Sequence, residues 1–398
     1  MSEENLIPQL SLSERDRRYT KVRERMAREG IDVLLLSANH SRWEQMMADS
    51  RYLTCIGGFA TEVFTVFPLN GDVTAFVFNR ADWWKEAQSW VSDVRNGRNH
   101  WARNAIEKLK ELGFSKGKIG ISGLSGLVRA PDGIIPYATV HALKEAFPQA
   151  EIANATELMQ EVRAIKSPEE VTFLEHSMQI IEKMIETMRE NVRPGIREKD
   201  LYAAMIHSML TNDGELPTLF FLGTGPEVTQ STFVPTNRVV QMNDRVVNEI
   251  EAKYGGYAAQ AVSPLVLGRP KKEYEVMVDL SASCFRAVLE KMQPGATFGT
   301  LFDTYRETVE RDGKGNYLWS HPMMHARGLG DDGPALMGDE DVERFRQIEL
   351  QTGMAFILKP QVRTAQGKGR ASIGDTVVVT ESSARRLGKR EMKLIVVE

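Results

Sequence analysis

Two cysteines in 398 residues, Cys55 and Cys284, cannot build a disulfide scaffold. They lie far apart, show no metal-ligand spacing and have no histidine beside them, so both are read as structural thiols. No apolar run approaches the ~20 residues that a membrane-spanning helix needs, which excludes a membrane span. The segment Met1-Ser2-Glu3-Glu4-Asn5 is acidic and lacks the basic start and apolar stretch of a secretory signal, so a cytoplasmic location is expected. A strong field of either sign is also missing. The formal charge is only -4, with the signs interspersed, and Lys271-Lys272 and Arg385-Arg386 are too short to be more than solvated surface. A nucleic-acid partner is therefore not expected.

What is present is a soluble-protein composition, 42% hydrophobic and 26% charged, in a length suited to two cores at ~150 residues per domain. A helical pattern from Arg15 to Glu29 is followed by β-rich runs at Val33-Leu34-Leu35-Leu36, Val63 to Phe67 and Val73 to Phe78. Lys116 to Ser122 reads as a further strand, and a helix through Ile106 to Leu112 crosses the sheet. The pattern changes at Ser167-Pro168-Glu169-Glu170. A cap residue, a proline at the first helical position and two acids in the first turn announce a long helix there. The expected organisation is an α/β domain over 1–165 and a second, α+β domain over 166–398.

The second domain carries an internal echo. Pro194-Gly195, a helix through Leu201 and Asp213-Gly214 recur 100 residues later as Pro294-Gly295, a helix through Leu301 and Asp312-Gly313. Such a repeat implies two similar αβ halves related by a pseudo-twofold axis, with a cavity where they meet.

Three stretches together resemble the creatinase, prolidase, aminopeptidase P and methionine aminopeptidase family. They are Arg163 to Glu170; Val246-Val247-Asn248-Glu249-Ile250 through Gly256-Tyr257 to Gln260; and His325 through Gly328-Leu329-Gly330 and Gly333-Pro334 to Gly353–Pro360 and Asp375–Glu381. The resemblance implies a creatinase-like N-terminal domain, a pita-bread C-terminal domain and a homodimer. It also implies a dinuclear metal site made of two aspartates, a histidine and two glutamates, whose bridging water attacks a peptide carbonyl.

This chain departs from that ligand set. The matching positions are Glu249, Gln260, His325, Lys359 and Gly374. Gln260 is a weak neutral ligand, Lys359 brings a cation where a cation should bind, and Gly374 has no side chain. A single ion on Glu249 and His325 would face the Lys359 ammonium, a repulsion worth several kcal/mol at an effective dielectric of about 20. Neither a metal nor another cofactor is expected.

The residues left in the cavity suggest another chemistry. Glu249, His325 and Lys359 are the candidate catalytic residues: Lys359 replaces the positive charge of the metal, His325 moves a proton, and Glu249 is base or nucleophile. The bland alternative is an ion pair that neutralises an obsolete metal pocket. Gln260 would orient substrate, and Glu251 shares the strand face of Glu249 or points toward a helix or solvent. His321, Arg327, Asp331 and Asp332 lie in the Gly-rich stretch around His325, where recognition groups are expected. Thr232 matches the position of a family histidine that carries protons, and Phe59 falls where the creatinase branch places an aromatic. The expected function is metal-independent hydrolysis of a carbon–nitrogen bond in a small non-peptide substrate. A lyase on the same scaffold and a non-catalytic pita-bread partner-binding protein are the alternatives.

Overall fold

The computed structural model describes residues 9–36, 47–58, 61–126, 130–227, 235–367 and 369–398. The chain divides into two compact units, Met1–Arg163 and Ala164–Glu398. No helix among the described residues is long and apolar enough to cross a membrane.

The first unit is built on one six-stranded mixed sheet. Its strands run in the order Asp93–Asn96, Thr74–Val77, Val63–Pro68, Val33–Leu36, Lys116–Ile121, Gln149–Asn154. The middle strands are buried along their whole length, the signature of a sheet covered on both faces. The helix Leu12–Glu29 starts on Ser11, whose side chain accepts from the Glu14 backbone N–H at 3.1 Å, and stops at Gly30 in the left-handed conformation. On one face of the sheet Val33, Leu35, Phe64, Val66 and Ile119 pack against Ala105, Leu109 and Leu143.

The second unit opens as its sequence suggests. Ser167 caps the helix Pro168–Asn191, and Glu170 returns the bond to the Ser167 backbone at 2.9 Å, so two otherwise orphaned N–H groups are satisfied. The duplication expected from the Pro-Gly echo is drawn in matching backbone bonds. Gly195 donates to the Val240 carbonyl and Val240 to Ile196; Gly295 donates to Leu350 and Leu350 to Ala296. Glu198 donates to Arg238, and Phe298 to Ile348. Each half thus has two packed helices, Pro168–Asn191 with Glu198–Thr211 and Lys272–Lys291 with Phe298–Gly313, followed by strands. This is the pita-bread arrangement of an α/β (α+β) chain.

The strands of the two halves meet at one seam. In the first half, Arg245–Tyr254 turns through Gly255 and Gly256, both at positive φ, into Tyr257–Ala261. In the second, Met324–Ala326, Ala355–Leu358 and Asp375–Val379 are neighbours in one sheet. Val262 bridges Gly374, and the Gln260 backbone N–H donates to Thr376 Oγ1 at 2.8 Å. Beside the seam, Tyr317–Ser320, Gln361–Thr364 and Arg370–Ser372 form a three-stranded sheet.

Candidate functional site

At this seam the strand positions bring four polar side chains together. Glu251 is directly opposite Gln260 in the hairpin, so Gln260 reaches diagonally to Glu249, and its Nε2 donates to Glu249 Oε2 at 2.9 Å. Lys359 follows the strand Ala355–Leu358, and its backbone N–H is tied to the Met323 carbonyl at 2.8 Å. Its Nζ lies 2.6 Å from the same Glu249 oxygen. The Lys359 side chain is 3% exposed and that of Glu249 is 21% exposed, so Glu249 is the less buried member of this ion pair.

His325 sits mid-strand between Ala335 and Ile357. Its Nδ1 lies 3.0 Å from Asp331 Oδ1, which assigns the proton to Nδ1 and leaves Nε2 as an acceptor. Among the described residues that Nε2 and Gln260 Oε1 are both buried without a hydrogen-bond partner.

Burial works against the charge on Glu249, but Lys359, helped by the Gln260 hydrogen bond, outweighs it and holds the carboxyl below its ordinary range. Burial drives His325 down to about 4, against the pull of Asp331 and with the Lys359 and Arg327 cations adding to the depression. At neutral pH the site therefore holds the Glu249 carboxylate and a neutral His325 imidazole, with Lys359 Nζ 2.6 Å from the carboxylate.

The remaining sequence candidates occupy an outer layer. Glu251 is fully buried and accepts from Arg327 Nη2 at 2.5 Å, from the Thr218 N–H at 2.7 Å and from the Leu219 N–H at 3.3 Å. Arg327 also donates to the Ala258 carbonyl and stands 3.6 Å from Asp331, so it braces the residue that orients His325. Asp332 is buried, accepts from the Leu329 N–H and lies 3.8 Å from Lys166. His321 stacks on Phe302, and its Nε2 is 3.0 Å from Asp339 Oδ1. Phe59 and Thr232 lie outside the described residues. Asp331, named in the sequence only as a lining group, is the direct partner of His325; the loop that returns it carries no local signal of that contact.

The profile of metallopeptidase family M24 matches residues 172–381, and that of the creatinase/prolidase N-terminal domain matches residues 18–165. The chain belongs to family M24. Among its M24 relatives is the Xaa-Pro dipeptidase of Pyrococcus furiosus, 25% identical over 265 residues that cover 66% of this chain and 74% of the relative. The agropine synthesis cyclase of Rhizobium rhizogenes is 25% identical over 280 residues, 66% of this chain and 69% of the relative. In structure, the Xaa-Pro dipeptidase of Bacillus anthracis superposes with a TM-score of 0.78 at 20% identity, covering 96% of this chain and 100% of its own.

Two divalent ions do not fit the donor set of this M24 chain. Of the five positions that the family resemblance assigns to metal ligands, only Glu249 and His325 offer an anionic oxygen or an imidazole nitrogen, and Lys359 Nζ, 2.6 Å away, holds the Glu249 oxygen that would coordinate. Among the described residues no group of three or more His, Cys, Asp or Glu side chains could hold a metal ion. Gly374 cannot contribute, and a Cβ placed on it would lie 2.6 Å from Lys359 Cβ.

Proposed function

We propose that the chain is a metal-independent hydrolase that cleaves an amide-type carbon–nitrogen bond in a small substrate, with the Lys359 ammonium in the role of the missing cations. The observation that carries this reading is the 2.6 Å contact between Lys359 Nζ and Glu249 Oε2 beside an unpartnered His325 Nε2. Water attacks the carbonyl carbon as His325 Nε2 takes its proton, with Asp331 behind the ring to stabilise the imidazolium. The carbonyl oxygen becomes an oxyanion facing the Lys359 ammonium. Collapse of the adduct breaks the carbon–nitrogen bond, and the leaving nitrogen recovers the proton from His325. Glu249 stays ionised, fixes Lys359 and offers its exposed edge to substrate N–H groups.

The names of the dipeptidase relatives support a dipeptide as substrate, and that of the cyclase relative supports chemistry on a non-peptide compound. The proposed route acts on either kind of amide, so the assay must include both. The deciding experiment assays Xaa-Pro dipeptides and small amides with and without a strong chelator, alongside elemental analysis of the purified protein. Turnover that survives chelation, and is lost in E249Q and K359M, supports the proposal. Chelator-sensitive turnover with close to two metal ions per chain overturns it.

A further inference from the structure

The three-stranded sheet beside Lys359 carries an unbalanced charge. Arg363 and Arg370 are directly opposite one another across the antiparallel pair Gln361–Thr364 and Arg370–Ser372, so their side chains leave the same face. Like charges in that register repel one another. Neither arginine has a carboxylate within 4 Å among the described residues, although this unit holds other buried or half-buried arginines that do. Among the described residues the Arg370 side chain makes one hydrogen bond, from Nη2 to the His321 carbonyl at 2.6 Å. The His321 ring, neutral or cationic, offers no counter-charge, and its Nε2 lies 3.0 Å from Asp339 Oδ1.

The face that holds these arginines leads to the reacting groups. Ser372, two residues from Arg370 and on the same side of the strand, places its Oγ 3.2 Å from the Lys359 carbonyl and 3.2 Å from that of Pro360. The Glu249 carboxylate acts on Arg370 through space, opposing the loss of basicity that burial imposes on the guanidinium. Exposure falls steadily along this path: Arg363 is exposed, Arg370 half-buried, Lys359 buried. A guanidinium keeps planar, paired donors for an oxyanion, and that of Arg370 is already oriented by the His321 carbonyl.

We propose that Arg363 and Arg370 form a subsite for the anionic end of the substrate, a carboxylate or phosphate group held at the outer end of the path while the scissile bond lies between Glu249, His325 and Lys359. The assignment rests on the reading of those three residues as the reacting site. An anion between the two guanidinium groups removes their repulsion, and the field of Glu249 sets how close it can come.

The test is calorimetric titration of the full-length protein with succinate, with inorganic phosphate and with the neutral succinamide. Wild-type protein is expected to bind succinate or phosphate with millimolar affinity and to ignore succinamide, and the stronger of the two anions identifies the class. R370Q should weaken that binding roughly tenfold, R363Q less, and R370K should keep part of it. E249Q should bind the anion at least as well as wild type, so a failure of the hydrolase reading leaves this result standing. Absence of anion binding to wild-type protein, or equal affinities in wild type, R363Q and folded R370K or R370Q, overturns the proposal.

Discussion

Gly374 leaves no room beside Lys359: a Cβ on Gly374 would lie 2.6 Å from Lys359 Cβ and 2.7 Å from the Leu358 carbonyl oxygen. The backbone at Leu358 and Lys359 thus approaches Gly374 too closely to leave room for a side chain there. Both obstructing atoms belong to backbone or to Cβ, which cannot swing aside. G374A should therefore destabilise the fold by about 1–3 kcal/mol, the usual cost of overpacking, measured by urea unfolding. For the same reason G374E should not restore metal binding; a stoichiometric ion in that variant would show that the strands give way.

Removing one partner of the Glu249 to Lys359 pair leaves a largely buried charge. K359M should cost about 3–5 kcal/mol if Glu249 stays ionised, less to the extent that its exposed edge is hydrated. The double variant K359M/E249Q should recover much of that stability while remaining inactive. Equal stability of the single and double variants would mean that the pair is not coupled.

His325 gives the fold a signed pH dependence. Its folded value, about 4, lies below the ordinary 6.5, so between these limits the unfolded chain binds the proton and the folded chain does not. Stability from this group is complete above pH 6.5 and is lost as pH falls toward 4. Unfolding free energies measured from pH 4 to pH 7 should rise with pH more steeply for wild type than for H325Q. Identical slopes would remove the argument for a neutral buried imidazole.

The cap of the long helix offers a control remote from the chemistry. S167A removes one half of a reciprocal capping pair and should cost ~1 kcal/mol, seen as a lower thermal midpoint, with kcat and KM unchanged.

The parts of this structure that were legible in the sequence are those written in local chemistry. Ser167 to Glu170 announce their helix because cap, proline and first-turn acids act within four residues, and the two Pro-Gly turns mark the duplicated halves for the same reason. Glu249, Gln260, His325 and Lys359 could be listed together because the resemblance supplied the long-range register that spacing alone lacks. The contacts that escaped depend on register or loop return. Glu251 shares a strand with Glu249, yet its carboxylate is taken by Arg327 and by two N–H groups of the segment 218–219. Asp331 reaches His325 by a six-residue return, and the pairing of Arg363 with Arg370 is fixed by a hairpin register that a sequence of mixed polar residues does not specify.

Glu249 belongs to the first of the duplicated halves and Lys359 to the second, and their contact is a charge held across the seam. Spreading the halves to admit a bulky guest would strand an ammonium and a carboxylate in poorly hydrated surroundings. The ion pair therefore opposes any separation of the two halves at this point, a latch made of charge rather than of packing.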